Sequence, residues 1–238
     1  MGLNSHDTQC FLEEIQEMNS LDLVGVADIR EAREAFQGLS KDGTDAFPLA
    51  IVGAVRVSKA VLSTLEDGPN LLYYHHYRQL NSQLDRAALR IAQEIERRGY
   101  AALPVAASQV VDWEKMTGHL SHKEVAHLAG LGWRGRNNLL VTKKLGSQVR
   151  LTTILTDFPL ETGHPVRTDC GSCYRCLSAC PAKAIKEEPS EFDSLACYQK
   201  LKEFSKTRRI GQYICGLCVK ACSGSKGTVE LQQQETHG

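Results

Sequence analysis

The apolar positions of residues 8–18 recur at helical spacing, with Phe11, Leu12, Ile15 and Met18 on one face, and predict an amphipathic helix. Two apolar runs of strand length follow, LDLVGVADI at 21–29 and FPLAIVGAVRVS at 47–58. From 75 to 99 the period returns to three and four, through Leu80, Leu84, Ala88, Ile91 and Ile95. Arg97 and Arg98 suit the last turn of such a helix, and Gly99 suits its stop. YAALPVAAS then predicts a strand. SHKEVAHLAG, at 121–130, predicts a short helix opened by Ser121 and Glu124 at capping-box spacing and closed by a glycine. NNLLV, a turn around Gly146, and VRLTTILTDF together predict a β-hairpin. Helices and strands thus alternate to about residue 158, where PLETGHPVRTD reads as a linker punctuated by proline and glycine. The pattern divides the chain into an α/β domain over 1–163, a cysteine-rich module over 164–228 and a polar tail over 229–238.

Composition adds bounds rather than direction. A chain of 238 residues can bury one good core, or one core and a small satellite. Twenty-eight Lys and Arg balance twenty-eight Asp and Glu, so the net charge is zero. That argues against a large phosphate-binding footprint, while leaving room for a local basic patch. The N-terminal stretch MGLNSHDTQCFLEEIQEM has neither a basic nor an apolar signal region, and no apolar run reaches membrane-spanning length. The expectation is a cytoplasmic protein with no membrane partner. In that compartment a dense group of cysteines points to metal binding or catalysis rather than to disulfides.

Eight of the nine cysteines lie between residues 170 and 222. Cys170, Cys173, Cys176 and Cys180 precede Pro181 as C-x2-C-x2-C-x3-C-P, and Cys197, Cys215, Cys218 and Cys222 end in C-x2-C-x3-C. One turn of chain at x2 spacing can place three thiolates on three corners of a cubane. In two-cluster ferredoxins the fourth cysteine of the run ligates the other cluster. The spacing therefore assigns Cys170, Cys173, Cys176 and Cys222 to one [4Fe-4S] cluster, and Cys180, Cys197, Cys215 and Cys218 to a second. Zinc is the other use of paired C-x2-C motifs, but a zinc ribbon has no use for the third cysteine. Ser223 stands where the second run would carry its proline, a position that shapes the turn and does not ligate. Cys10, alone on the first helix, reads as a buried or idle thiol.

A module of two clusters needs little chain, so the preceding domain is expected to hold whatever the electrons serve. No G-x-G-x-x-G follows a strand and no P-loop is present. The glycine-dense stretch is AGLGWRGRNNLLV at 129–141. Gly130, Gly132 and Gly135 would let a flat ligand approach the backbone, with Trp133 and Arg136 for stacking and polar contact. The same stretch also fits a helix C-cap followed by a turn into a strand.

HKEVAHLAGLGWRGRNNLLV, a GS turn, CGSCYRCLSACPAKAI and a later C…CGLC…C together resemble the epoxyqueuosine reductase family, cobalamin-dependent iron–sulfur reductases related to reductive dehalogenases. The resemblance is patchy from about residue 47 and close from about residue 120 to 222. It implies an α/β (α+β) nitroreductase-like cobalamin-binding core followed by a small two-cluster ferredoxin-like module. It further implies that base-off cobalamin lies over the segment of Gly132, Gly135, Asn137, Asn138 and Leu140, with Ser58 and Ser108 closing the pocket. No D-x-H-x-x-G motif supplies a histidine for the cobalt.

The chain also departs from the family. Ala107, in PVAAS, aligns with the proton-donating aspartate, so the carried-over mechanism lacks its acid. The family's C-terminal extension, which helps hold transfer RNA, is not matched, and the resemblance is therefore to a short form for which transfer RNA is not the expected substrate. Replacement acids are sought among Asp112, Glu114, His119 and His122, or in the YYHHY run at 73–77, whose Tyr73, Tyr74 and Tyr77 could line the corrin pocket or equally staple the start of their helix. His119, His122 and His127 do not share one helical face and read as surface or cap residues. Lys200, Lys202, Lys206, Arg208 and Arg209 form either a solvated face or a dock for an acidic low-potential donor such as a flavodoxin or ferredoxin. The leading expectation is a cobalamin-binding redox protein acting on a small molecule or on a partner protein's corrinoid. A cobalamin-free electron carrier with a partner-recognition domain is the alternative, followed by a zinc-stabilised interaction module.

Overall fold

Residues 149–156, VRLTTILT, are rich in β-branched and aliphatic side chains and bury every position from Leu151 onward. A stretch buried on both faces belongs in the middle of a sheet, and it lies there. In the computed structural model, which describes residues 4–39, 41–112 and 117–224, the strands are β1 (Leu23–Asp28), β2 (Leu49–Arg56), β3 (Ala102–Val105), β4 (Trp133–Arg134), β5 (Leu140–Val141) and β6 (Val149–Thr156). Four of them form a sheet in the order β1-β2-β6-β3, antiparallel at every pairing. The helices among the described residues are α1 (Ser5–Met18), α2 (Lys41–Thr44), α3 (Lys59–Ser63), α4 (Leu71–Arg97), α5 (His122–Leu128), α6 (Arg175–Ser178), α7 (Ser194–Thr207) and α8 (Leu217–Ala221).

The expected hairpin of NNLLV with VRLTTILTDF does not form. Leu140 and Val141 pair instead with Arg134 and Trp133, across a turn in which the Asn138 N–H donates to the Gly135 carbonyl at 2.9 Å. That pairing closes a shorter loop than the hairpin needs. It leaves β6 free to take β2 on one edge and β3 on the other. Of the hairpin, only a bridge between Thr142 and Gly146 survives.

The sheet is covered on both faces, and β2 shows how. Ile51 and Val55 point into a core with Phe11 and Ile15 of α1 and Leu84, Ile91 and Ile95 of α4. Ala50, Val52 and Ala54 point the other way, onto Val125 and Ala126 of α5 and Leu140 of β5, as the two-residue period of a strand requires. Helix α4 begins at Leu71, earlier than its apolar period suggests, because the Asn70 side chain accepts from the Tyr73 N–H at 2.9 Å and caps it there.

The cysteine-rich segment shares the first of these cores. Ile210, Ile214 and Leu217 are buried with Leu65 and Tyr73, and the Lys220 ammonium donates to the Leu65 carbonyl at 2.6 Å. The 159–169 linker has no regular secondary structure. The polar tail lies outside the described residues. Among those described, no helix is long and apolar enough to cross a membrane.

Ile210, 1% exposed, lies where this segment meets α4. Ile210→Ala should lower global stability by about 2–5 kcal/mol in anaerobic urea unfolding. Leu195→Ala, at a side chain 64% exposed, should change it by no more than about 0.5 kcal/mol.

Candidate functional site

The fold gathers the eight C-terminal cysteines into two neighbourhoods. The Cys176 thiol is pushed up to about 11, first by burial and then by Cys222, Cys170 and Cys173 beside it. Cys218 is pushed far above the ordinary thiol range by burial and by Cys215, Cys197 and Cys180, with a weaker influence from Cys176 of the other group. Burial, Cys197 and Cys180 likewise raise Cys215 to about 11. All of these are free thiols. Among the described residues no three His, Cys, Asp or Glu side chains converge as one metal ion would require. The donor set fits a cubane, whose sulfurs stand on separate corners, better than a tetrahedral zinc ion, which draws every sulfur to about 2.3 Å.

The two groups differ in their surroundings. In the first, Cys173 is exposed and the Arg175 Nε–H donates to its sulfur at 3.5 Å, which pulls its pKa down. The Trp133 indole N–H donates to Cys170 Sγ, also at 3.5 Å. No side chain among the described residues donates to a sulfur of the second group, and Cys218 and Cys215 lie close enough to Tyr73 to raise its pKa after the larger effect of burial. Arg136 reaches the first cysteine loop, donating to the carbonyls of Cys173 at 3.2 Å, Gly171 at 3.0 Å and Glu187 at 2.5 Å, and lying over the Tyr174 ring at 4.4 Å. Trp133 and Arg136, expected to face a ligand, thus tie the glycine stretch to the cysteines.

The glycines themselves answer to the protein. A Cβ at Gly132 would strike the Val141 carbonyl, one at Gly135 would strike the Val141 side chain and meet Asn137 Oδ1 at 2.9 Å, and one at Gly130 would strike the His164 carbonyl. The close approach read as room for a flat ligand is already filled by chain.

A cleft of about 410 Å³ does open nearby, between α4, the 105–109 loop, α5 and the start of β6. Of the residues expected to hold cobalamin, Ser108 and Leu140 line it, whereas Ser58, Gly132, Gly135, Asn137 and Asn138 do not. Ser58 caps α3, accepting from the Val61 N–H, and the buried Asn137 donates to Ser147. Tyr73 and Tyr77 line the cleft, and Tyr74 packs against the core behind them. Ala107 lines it as well, its N–H donating to Asp85 at 2.8 Å. No carboxylic acid among the described residues replaces it there: Asp112 sits on a bridge with Thr117 away from the lining, and Glu114 lies outside the described residues, whereas His119 and His122 both line the cleft.

The three histidines form no metal site among the described residues, although His119 and His122 both line the cleft. His119 bonds the Gln37 carbonyl and His127 the Gly132 carbonyl, each at 2.9 Å. His122 is not the surface or cap residue expected. Its imidazole is clamped in the cleft wall between the Thr153 hydroxyl at 2.8 Å and the Ala106 carbonyl at 3.0 Å, because the strand behind α5 presents a polar threonine there. Cys10 is exposed rather than buried. The basic run is exposed apart from Lys200, which pairs with Glu203 at 2.6 Å; Arg208 pairs with Asp67 at 2.7 Å.

Sequence reasoning missed two residues of the cleft, Lys123 and Arg150. Burial pushes the Lys123 ammonium down to about 8, and it donates to the Asn138 backbone carbonyl and Oδ1 at 2.8 and 2.9 Å. Arg150 donates to Asn81 Oδ1 and to the Ala107 carbonyl, and stacks over Tyr77 at 4.3 Å. A lone lysine in a helix and a lone arginine opening a strand carry no periodic mark.

No family model matches the chain. Among curated proteins it is 29% identical over 191 residues to the epoxyqueuosine reductase of Aliivibrio fischeri, covering 74% of this chain and 48% of that one. It is 37% identical over 119 residues to the Listeria monocytogenes epoxyqueuosine reductase, covering 47% of this chain and 31% of that one. The chain thus spans half or less of the length of these relatives. In fold it matches the epoxyqueuosine reductase of Streptococcus thermophilus with a TM-score of 0.60 at 19% identity, over 90% of this chain and 65% of the other. A reductive dehalogenase described in terms of B12-dependent dehalogenation matches with a TM-score of 0.68 at 17% identity, over 89% and 30%.

Burial holds the His122 imidazole at about 4, below its ordinary 6.5. The unfolded chain therefore takes up this proton as the pH falls through about 6.5, while the folded chain refuses it until about 4. The stability tied to neutral His122 is complete above about 6.5 and is lost on acidification toward 4, on the order of 3 kcal/mol. His122→Gln should flatten that part of the stability–pH curve; an unchanged slope would show that His122 does not carry it.

Proposed function

This chain is epoxyqueuosine reductase-like in sequence and fold, and on that premise we propose that it is a redox protein holding two [4Fe-4S] clusters and a corrinoid, for a reductive reaction on a small molecule or on a partner protein's corrinoid. The observation that carries this reading is the placing of two groups of four cysteines, one of them against Tyr73, a wall of the cleft. Residues 164–228 would then be the ferredoxin-like module and 1–163 the domain it serves.

In this reading each cysteine group has a separate part. Cys170, Cys173, Cys176 and Cys222 would hold the outer cluster, where the N–H groups of Trp133 and Arg175 on its sulfurs raise the reduction potential. Cys180, Cys197, Cys215 and Cys218 would hold the inner one, where no side chain among the described residues donates to a sulfur and the Leu217 backbone N–H bonds Cys215. A corrinoid in the cleft would supply a cobalt centre able to act as a strong reductant. Val57, Tyr73, Leu140 and Leu151 give the cleft an apolar lining that suits a broad ligand face, and Tyr77 and Ser108, whose hydroxyls lie 3.3 Å apart, can hold a proton there in place of the missing acid. Lys202, Lys206, Arg208 and Arg209, beside the module on α7 and just after it, would meet an acidic electron donor.

One observation favours the cobalamin-free electron carrier instead: the glycine stretch is closed by the protein's own chain. Reduction of epoxyqueuosine in transfer RNA has less support, because Ala107 cannot give a proton.

Titrating cobalamin into anaerobically reconstituted protein decides between the first two. The corrinoid reading expects saturable binding with the visible and paramagnetic signature of base-off cobalt. A fully clustered protein that binds no corrinoid would leave the electron carrier standing.

A further inference from the structure

The cleft is electrically one-sided. Its lining includes Lys123 and Arg150, and among the described residues that line it there is no aspartate or glutamate. Neither cation makes an ion pair with a described residue. Lys123 rests on a carbonyl and an amide oxygen, dipoles that orient the ammonium, and the only carboxylate acting on it among the described residues is the exposed Glu124, a smaller effect than burial and from outside the cleft lining. The Arg150 guanidinium is fixed from behind by Asn81 and the Ala107 carbonyl and from one face by Tyr77, while its Nη1 makes no hydrogen bond to a described residue. A planar fork held in this way has its conformational cost already met and suits a carboxylate or a phosphate. Partly buried cations without counter-charge are costly unless a ligand supplies it.

We infer that the cleft binds its ligand through an anionic group, a carboxylate or a phosphate, held by Lys123 and Arg150. This deepens the reading of the cleft as the ligand site and rests on it. The anion has two possible sources: the phosphate of the nucleotide loop of a complete corrinoid, or a separate small substrate.

The test uses the full chain with its clusters reconstituted and calorimetric titration with benzoate, benzamide, cobalamin and cobinamide, the last lacking the nucleotide-loop phosphate. If the anion belongs to a separate substrate, benzoate binds in preference to its neutral isostere benzamide. Arg150→Gln and Lys123→Met each then weaken benzoate by about ten- to a hundredfold, the range for a charged hydrogen-bonded contact, and leave both corrinoids unchanged. If the anion is the corrinoid's own phosphate, the same substitutions weaken cobalamin by that factor and spare cobinamide. Arg150→Lys, which keeps the charge, should recover part of either loss, and the cluster absorbance of each variant reports whether it has folded. The comparison of benzoate with benzamide needs no variant at all. Equal binding of benzoate and benzamide, together with corrinoid affinities indifferent to both substitutions, overturns the inference. A protein that binds no corrinoid but prefers benzoate loses the corrinoid and keeps the anion site.

Discussion

Eight thiols in two crowded groups set the terms for everything around them. A thiol surrounded by apolar side chains and other thiols resists ionisation, as the raised values of Cys176, Cys215 and Cys218 show. Thiolates are nevertheless what a metal needs, and a bound cation reverses the balance by deprotonating its ligands. The second group is packed into the core it shares with α4, through Ile214 and Leu217 on either side of Cys215. Charge compensation there is coupled to the folding of the segment as a whole. Arg136 and Trp133 extend the coupling to the glycine stretch, since both reach from β4 or the turn after it to the first cysteine loop.

Much of this was legible in the sequence where the signal is local. The apolar period of α4 names its buried face residue by residue, from Leu80 to Ile95. The apolar run of β2 marks it as a strand, although which residues face which core is seen only in the fold. The cysteine spacing already divides the thiols into the groups the fold brings together, while their ligation stays part of the proposal. What was not legible depends on partners far away in the chain. Val149–Thr156 reads as one arm of a hairpin until β2 and β3 claim its two edges. Gly132 and Gly135 show that something comes close to the backbone, but a sequence looks the same whether that something is a ligand or Val141. Lys123 and Arg150 become a pair only when α5 and β6 are brought to one cleft.

The cleft and the cysteine groups meet at Tyr73, which belongs to the core, lines the cleft and lies close to Cys215 and Cys218. That residue sets the two groups apart: the first, which includes the exposed Cys173, carries the side-chain N–H donors of Trp133 and Arg175, and the second lies next to the cleft with no side-chain donor to its sulfurs among the described residues. The loop at Ala107, which also lines the cleft, fits the same picture. Its backbone is anchored by Asp85 and Arg150, so it shapes the cleft without contributing an acid to it.

The central claim is that the two cysteine groups hold two cubane clusters. Iron and acid-labile sulfide analysis of protein purified without oxygen tests it most directly. About eight of each per chain are expected, four for each group of four cysteines. Stoichiometric zinc with no sulfide would contradict it.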